Sequence, residues 1–339
     1  MIEMKPFDSQ IPSVFSIDTP FQAICAIATI RQLNITDYIM IVYFPRNEVR
    51  NVQLRAILEN YGVRYKAVKP FNRLTYCYAK WSALRSHHSR YRRLFIGDIR
   101  DMGLYYTSLK YVDDGTKVVY LDDGNITISY LKDIITEPLK PENLVFLKEL
   151  ELKRGVETNK NFLTIYDHID NPKYKIGILD LSLIISQQQK VERTEGVYIV
   201  GTNIDRYCKP LEIEEEKYIE KLEELIVSLR KDYPEEKVVF VPHGRDKSEY
   251  AQRICDKHGI NFEPSEMTVE LKLIRQQIAP MAVYGFTSSA LFNIKKIFPQ
   301  TKVVNVLYEE NKNNPFFAEY MMYSEYYLKN GIELIREKI

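Results

Sequence analysis

Residues 13–44 read SVFSIDTPFQAICAIATIRQLNITDYIMIVYF, and this stretch decides the fold. Ser13–Asp18 is a short run rich in β-formers. Phe21–Leu33 places apolar residues at three- and four-residue spacing, and Tyr38–Phe44 is strand-like again. Strands apolar on both faces that alternate with helices indicate a parallel sheet covered on both sides. Working outward, Glu48–Tyr61 reads as a helix, and Val63–Val68, Leu94–Asp98 and Lys117–Asp122 as further strands. The first half is therefore Rossmann-like.

A less regular stretch follows. Glu137–Pro141 is proline-rich, Leu147–Gly155 is charged and reads as helical, Phe162–Asp167 resembles a strand, and Asn171-Pro172 is a turn. The alternation then restarts. Gly196–Gly201, Val238–Val241, Met281–Gly285 and Lys302–Leu307 read as strands. Glu212–Tyr233, Lys247–His258, Ser288–Ile297 and Asn314–Leu334 read as helices. The first of these helices gathers Ile219, Leu222, Leu225, Ile226 and Leu229 on one face. Two Rossmann-like α/β domains, 1–190 and 191–339, are the economical architecture for 339 residues.

Composition narrows the function classes. A net charge of +1 gives no global reason to expect a nucleic-acid partner. The opening Met1–Lys5, followed by Pro6, lacks the apolar core of a secretory signal. No run approaches the ~20 apolar residues of a membrane span. Cys25, Cys77, Cys208 and Cys255 show no metal or disulfide spacing, so reduced thiols and a cytoplasmic location are expected.

Ligands of parallel α/β sheets sit at the carboxyl ends of strands, and four strand ends carry polar clusters. In Asp18-Thr19-Pro20-Phe21-Gln22, Thr19 reads as a helix cap, and Gln22 either belongs to that capped start or points into a cleft. Asp122-Asp123-Gly124 leaves a strand with two carboxylates, which is either a turn or a source of a general base. The earlier copy, Asp113-Asp114-Gly115, precedes its strand and reads as a connecting turn. His243, followed by Gly244 and Arg245, ends a third strand; a lone histidine is more often structural, but this position and its neighbours favour contact with a phosphate leaving group. Thr287-Ser288-Ser289 opens a helix whose free N–H groups suit a phosphate. Capping uses only one of those three hydroxyls. The loop Gly201-Thr202 ends a further strand of the second half.

Taken together, these clusters resemble the bacterial sialyltransferases of glycosyltransferase family 52, which act on lipooligosaccharide and related capsule or O-antigen glycans. The resemblance rests on Thr19-Pro20-Phe21-Gln22, Asp122-Asp123-Gly124, Pro242-His243 and Phe286-Thr287-Ser288-Ser289-Ala290-Leu291-Phe292. It departs from the family pattern at Gly244, where a proline is usual. The resemblance implies a GT-B fold, with two Rossmann-like domains facing across a cleft. It implies that CMP-sialic acid is a co-substrate bound by the C-terminal domain, through Gly201, Thr202, His243, Gly244, Arg245, Thr287, Ser288 and Ser289. The acceptor, a terminal sugar such as galactose, would lie on the N-terminal domain near Thr19 and Gln22. The implied reaction is an inverting transfer with no metal and no cofactor. Asp122 or Asp123 would act as base, Asp122 being favoured by analogy, while His243 steadies the departing CMP. Two alternatives stand beside it: a GT-B transferase using another nucleotide sugar, and a non-catalytic glycan- or nucleotide-binding relative.

Charge adds one expectation. From Lys66 to Gly97 there is no acidic residue, yet Lys66, Lys69, Arg73, Lys80, Arg85, Arg90, Arg92 and Arg93 fall there among Tyr76, Tyr78, Trp81, Leu84 and Tyr91. Such a surface suits the anionic inner face of a membrane, at roughly 1 kcal/mol per basic residue that reaches it. A solvated helix whose cations pair elsewhere is the competing reading, and an anionic acceptor bound by the same patch is a further one.

Overall fold

The structure is a computed structural model, described for residues 11–68, 72–98, 100–135, 138–185, 191, 193–244, 246, 249–264, 266–309 and 314–338. The chain divides into two compact units, Met1–Ile184 and Ile185–Ile339. The boundary expected near residue 190, the opening Met1–Lys5, Lys69, Glu137, Arg245 and Lys247 lie outside the described residues.

The first unit is built on seven parallel strands: β1 (Ser13–Ile17), β2 (Tyr38–Tyr43), β3 (Tyr65–Val68), β4 (Arg93–Ile96), β5 (Lys117–Tyr120), β6 (Glu157–Thr164) and β7 (Lys175–Ile178). Their order across the sheet is β3-β2-β1-β4-β5-β6-β7. Every residue of β1 and β4 is buried, as strands covered on both faces require. The helix Pro20–Gln32 leaves β1 with Pro20 at its first position, and the Thr19 side chain accepts from the Gln22 amide at 3.1 Å. That cap is worth about 1 kcal/mol.

The second unit repeats the plan. Its short first strand β8 (Arg193–Thr194) is followed by β9 (Val197–Val200), β10 (Val238–Val241), β11 (Asn261–Phe262), β12 (Ile278–Ala279), β13 (Ala282–Gly285), β14 (Lys302–Glu309) and β15 (Glu333–Lys338). Six of these form a parallel sheet in the order β11-β10-β9-β13-β14-β15, and β8 pairs with β12 alone. In both sheets the chain order reverses at one place, between β1 and β4 and between β9 and β13. Loops on either side of such a point diverge and leave a crevice at the strand ends.

Several expectations change. The long helix expected over Asn314–Leu334 stops at Lys329, and the chain turns through Gly331 at φ 78° into β15. Asn330-Gly331 is a helix stop, because glycine takes a positive φ at little cost. The segment after Glu137 forms a helix from Pro141 to Arg154, ended by Gly155 in the left-handed region. The basic run from Lys66 to Gly97 is not one surface. Arg93 lies inside β4 with no exposure and donates from Nε to the Ser13 hydroxyl at 3.0 Å. The Asp113–Gly115 copy is a turn, as expected. Its Asp114 accepts from the fully buried Arg154 at 2.6 Å, and Arg154 also donates to the carbonyls of Ala83, Leu109 and Val112.

Candidate active site

The crevice of the first sheet is lined by ionisable groups wired to one another. Asp18 follows β1, Gly97 and Asp98 follow β4, and Asp122 and Asp123 follow β5. Gln22, buried in the first helical turn, joins two of these ends. Its Oε1 accepts from the Asp18 amide at 2.9 Å and its Nε2 donates to Asp123 Oδ1 at 2.8 Å. A Cβ at Gly97 would lie 2.2 Å from both Cδ and Oε1 of Gln22, so only glycine leaves room for this bridge.

Arg100 grips Asp98 with Nε and Nη2, at 3.0 and 3.1 Å, and reaches Asp123 Oδ2 with Nη2 at 2.8 Å. Arg50 holds Asp18 at 2.6 Å. The carboxylates of Asp18, Asp98, Asp101 and Asp123 thus outnumber the guanidiniums of Arg50 and Arg100. Burial raises the Asp18 carboxyl to about 6, partly offset by Arg50 and reinforced by Asp101 and Asp98. Burial also raises Asp123, with Asp98 pushing it further up and Arg100 holding it back.

The two neighbouring aspartates face different ways. Asp122 has no exposure. Its Oδ1 accepts from the Thr164 hydroxyl at 2.6 Å and its Oδ2 from the Ile165 amide at 2.8 Å. Burial lifts its carboxyl to about 7 against those bonds. Asp123 is 19 % exposed and meets Gln22 and Arg100 on the crevice side. Asp122 ties β5 to the end of β6, whereas Asp123 opens onto the strand ends.

The crevice of the second sheet is made differently. Gly201 follows β9 where a Cβ would come within 2.9 Å of the Phe240 ring. After Thr202, Asn203 caps the helix Ile204–Leu211 by accepting from the Arg206 amide at 2.9 Å. His243 follows β10, and its carbonyl accepts from the Asp246 amide at 2.9 Å. Asp246 in turn accepts from the Ile204 amide at 3.3 Å and from Tyr250 Oη at 2.6 Å, which fastens the His243 loop to the start of that helix. After β13, Thr287 sits at φ 48°. This left-handed conformation is unusual for a β-branched residue, and the Thr287 amide is held there by Asn305 Oδ1 at 2.6 Å. Ser288 caps the helix Ser289–Ile297 by accepting from the Ala290 amide at 3.3 Å. Gly201, His243 and Ser288 therefore end three adjacent strands. Gly244 is in the turn after His243, and Arg245 lies outside the described residues.

Gln22 and Asp123 are brought into direct contact, while Thr19 is occupied as a cap. Sequence reasoning assigned no role to Arg50, Asp98, Arg100 or Asp101. A signal existed: Gly97-Asp98 and Arg100-Asp101 directly follow a strand. Among the described residues no group of three His, Cys, Asp or Glu side chains is arranged to hold a metal ion. Nor is any described helix long and apolar enough to cross a membrane.

No family model and no curated protein matches the chain. Among solved structures it is similar to a protein of Listeria monocytogenes provisionally assigned as a UDP-N-acetylglucosamine 2-epimerase. That match has 8% identity and a TM-score of 0.50 over 96% of this chain and 91% of the other. MnaA of S. aureus, solved with UDP, matches at 10% identity, 0.48, 96% and 91%. A glycosyltransferase of Rickettsia africae matches at 9%, 0.45, 95% and 94%. The first establishes the α/β fold with two Rossmann-like domains of GT-B type. These findings overturn the resemblance to family-52 sialyltransferases, and with it the sialyltransferase activity and the CMP-sialic acid donor. The nucleotide sugar named for the Listeria protein carries UDP, not CMP. The physical reason lies in the motifs. An Asp-Asp-Gly turn and a hydroxyl cap are features that strand ends of this fold can hold for structural reasons alone. Asp122 and Ser288 have such tasks here.

Proposed function

We propose that the chain processes a nucleotide sugar of the UDP class, with the nucleotide on the C-terminal unit and proton transfer at Asp123 on the N-terminal unit. The observation that carries this is the Asp123 cluster, a carboxylate raised toward neutrality at a strand-order reversal and held by Gln22 and Arg100. A base works best with a pKa near the working pH. In the reaction we favour, an acceptor hydroxyl loses its proton to Asp123 as its oxygen bonds the anomeric carbon. The bond from that carbon to the diphosphate oxygen breaks, and UDP leaves with the electron pair. His243, the hydroxyls of Ser288 and Ser289 and the first amides of the helix Ser289–Ile297 are the groups we assign to the diphosphate. We extend the proposal to turnover without a divalent metal, which activity in EDTA checks.

The names of the neighbours support the UDP class, and the second raised carboxylate, Asp18, favours a further reading, epimerisation of the sugar. Titration calorimetry with UDP, UDP-N-acetylglucosamine and CMP tests the nucleotide. UDP is expected to bind at least tenfold more tightly than CMP, and the reverse order or no binding refutes the reading. NMR of UDP-N-acetylglucosamine incubated without acceptor separates the reactions, because only an epimerase alters the sugar there.

We also propose that the protein works on the inner face of a membrane. The helix Arg73–Ala83 carries Leu74, Tyr78 and Trp81, 81%, 65% and 51% exposed, and the Arg85 guanidinium lies 3.4 Å over the Trp81 ring. Aromatic and basic groups on one helix suit an anionic interface. Trp81 is the chain's single tryptophan, so its emission reports contact directly. A blue shift with phosphatidylglycerol vesicles that salt reverses is expected. Unchanged emission at low ionic strength removes the proposal.

A further inference from the structure

Beside Asp98 and Arg100 the first unit opens a pocket of about 670 Å³. Tyr76 and Lys80 of the helix Arg73–Ala83 form one wall, and Lys140, Glu142 and Asn143 at the start of the helix Pro141–Arg154 form another. The Tyr76 ring meets Tyr106 edge-on at 5.4 Å, which fixes it as a flat apolar surface. The pocket adjoins the Asp123 cluster through Arg100, which bonds both Asp98 and Asp123.

Its charges are not all available to a ligand. Both oxygens of Asp98 are taken by Arg100, and Asp101 accepts from the Leu104 amide at 2.9 Å as the cap of the helix Met102–Leu109. Arg100 is spent on Asp98 and Asp123. Among the described residues neither Lys80 nor Lys140 makes an ion pair, and Lys80 has only the Phe146 ring at 5.7 Å. Two ammonium groups therefore face the pocket against one uncommitted carboxylate, Glu142. An aromatic wall with an amide and a carboxylate suits sugar hydroxyls, and two ammonium groups suit one anion among them.

We propose that this pocket binds the acceptor sugar, and that this sugar carries a carboxylate or a phosphate. The inference rests on the reading of the chain as a nucleotide-sugar enzyme with its acceptor on the N-terminal unit. Titrations followed by saturation-transfer NMR, without nucleotide, test it with methyl glucuronide, glucose 6-phosphate and methyl galactoside as probes. At least one anionic probe is expected to bind tenfold more tightly than the galactoside, the glucuronide marking a carboxylate site and the sugar phosphate a phosphate site. The double variant Lys80→Ala/Lys140→Ala should lose that tenfold while its melting temperature and its Kd for UDP stay unchanged. Equal binding of neutral and anionic probes overturns the proposal, as does a double variant that binds like the parent protein. A double variant that loses UDP overturns it too, because the lysines would then serve the nucleotide. Failure of the unaltered protein to bind UDP removes the nucleotide reading alone, since the sugar titrations are read independently.

Discussion

The two strand-order reversals share one topology and differ in chemistry. At β1 and β4 the crevice is a web of side-chain charges, with Asp18, Asp98 and Asp123 tied to Arg50, Arg100 and Gln22. At β9 and β13 the groups are a glycine, hydroxyls and helix-start amides, with one histidine just after the adjoining strand. The first arrangement suits moving protons, because burial, with mutual charge beside it, raises the carboxyls. The second suits holding an anion, because fixed dipoles need no counter-charge of their own. Topology selects the place of a site; the side chains select its work.

The largest expected effect breaks or confirms the first half of this contrast. Asp123→Asn should lower turnover by about 10²–10⁴-fold with UDP affinity retained. Asp122→Asn should leave turnover within severalfold, since its carboxyl is sealed against Thr164 and Ile165. Steady-state kinetics that rank the two variants the other way would dissolve the distinction between them.

Gly97→Ala comes next. The new methyl collides with Gln22, and overpacking of this kind costs about 1–3 kcal/mol. A lower melting temperature is expected, restored in Gly97→Ala/Gln22→Ala, while turnover stays low because the bridge to Asp123 is gone. Recovery of turnover in the double variant would show that Gln22 only fills space.

The third effect is on stability against pH. The Asp122 carboxyl, at about 7, lies above its unfolded value of about 3.9. The folded state therefore binds this proton more tightly, so the contribution is full below about pH 4 and is lost as pH rises through about 7. Asp18, at about 6, acts in the same direction. Urea denaturation should show Asp122→Asn more favoured, relative to the parent, at pH 8 than at pH 5. A constant difference would contradict the burial argument.

The smallest effect sharpens the second half. Ser288→Ala removes a helix cap worth about 1 kcal/mol and one hydroxyl from the assigned phosphate site. UDP should bind up to about tenfold more weakly with turnover at saturation nearly unchanged. A drop in saturated turnover as large as that of Asp123→Asn would place chemistry at the wrong crevice.

Much of the fold was legible because β1, β9 and β10 are buried runs and β2 has a buried centre, with strong punctuation such as Thr19-Pro20 after β1. The regions between β3 and β7 were harder to read. The helix Met102–Leu109 is buried all round and so has no polar face to betray its period. Arg93 read as part of a basic surface, and Arg154 falls in a stretch read only as a charged helix, yet both are buried, because carbonyls and hydroxyls supplied by distant segments satisfy them. Asp122 and Asp123 were found together and could not be ranked. Their roles depend on Thr164, Gln22 and Arg100, brought in by other elements. Short motifs named a family that the chain does not match, since each also describes an ordinary strand end.

The last strand has a consequence for how the molecule is made. β15 is the final described segment, and it covers the flank of β14, whose Val303, Val304, Val306 and Leu307 are buried. A parallel strand reaches its neighbour only after an intervening crossover, here the helix Pro315–Lys329. During synthesis β14 therefore leaves the ribosome as an open, apolar sheet edge and waits for more than twenty residues to arrive. Nascent chains are most prone to pair with one another in that interval, so the C-terminal strand acts as the latch that ends it.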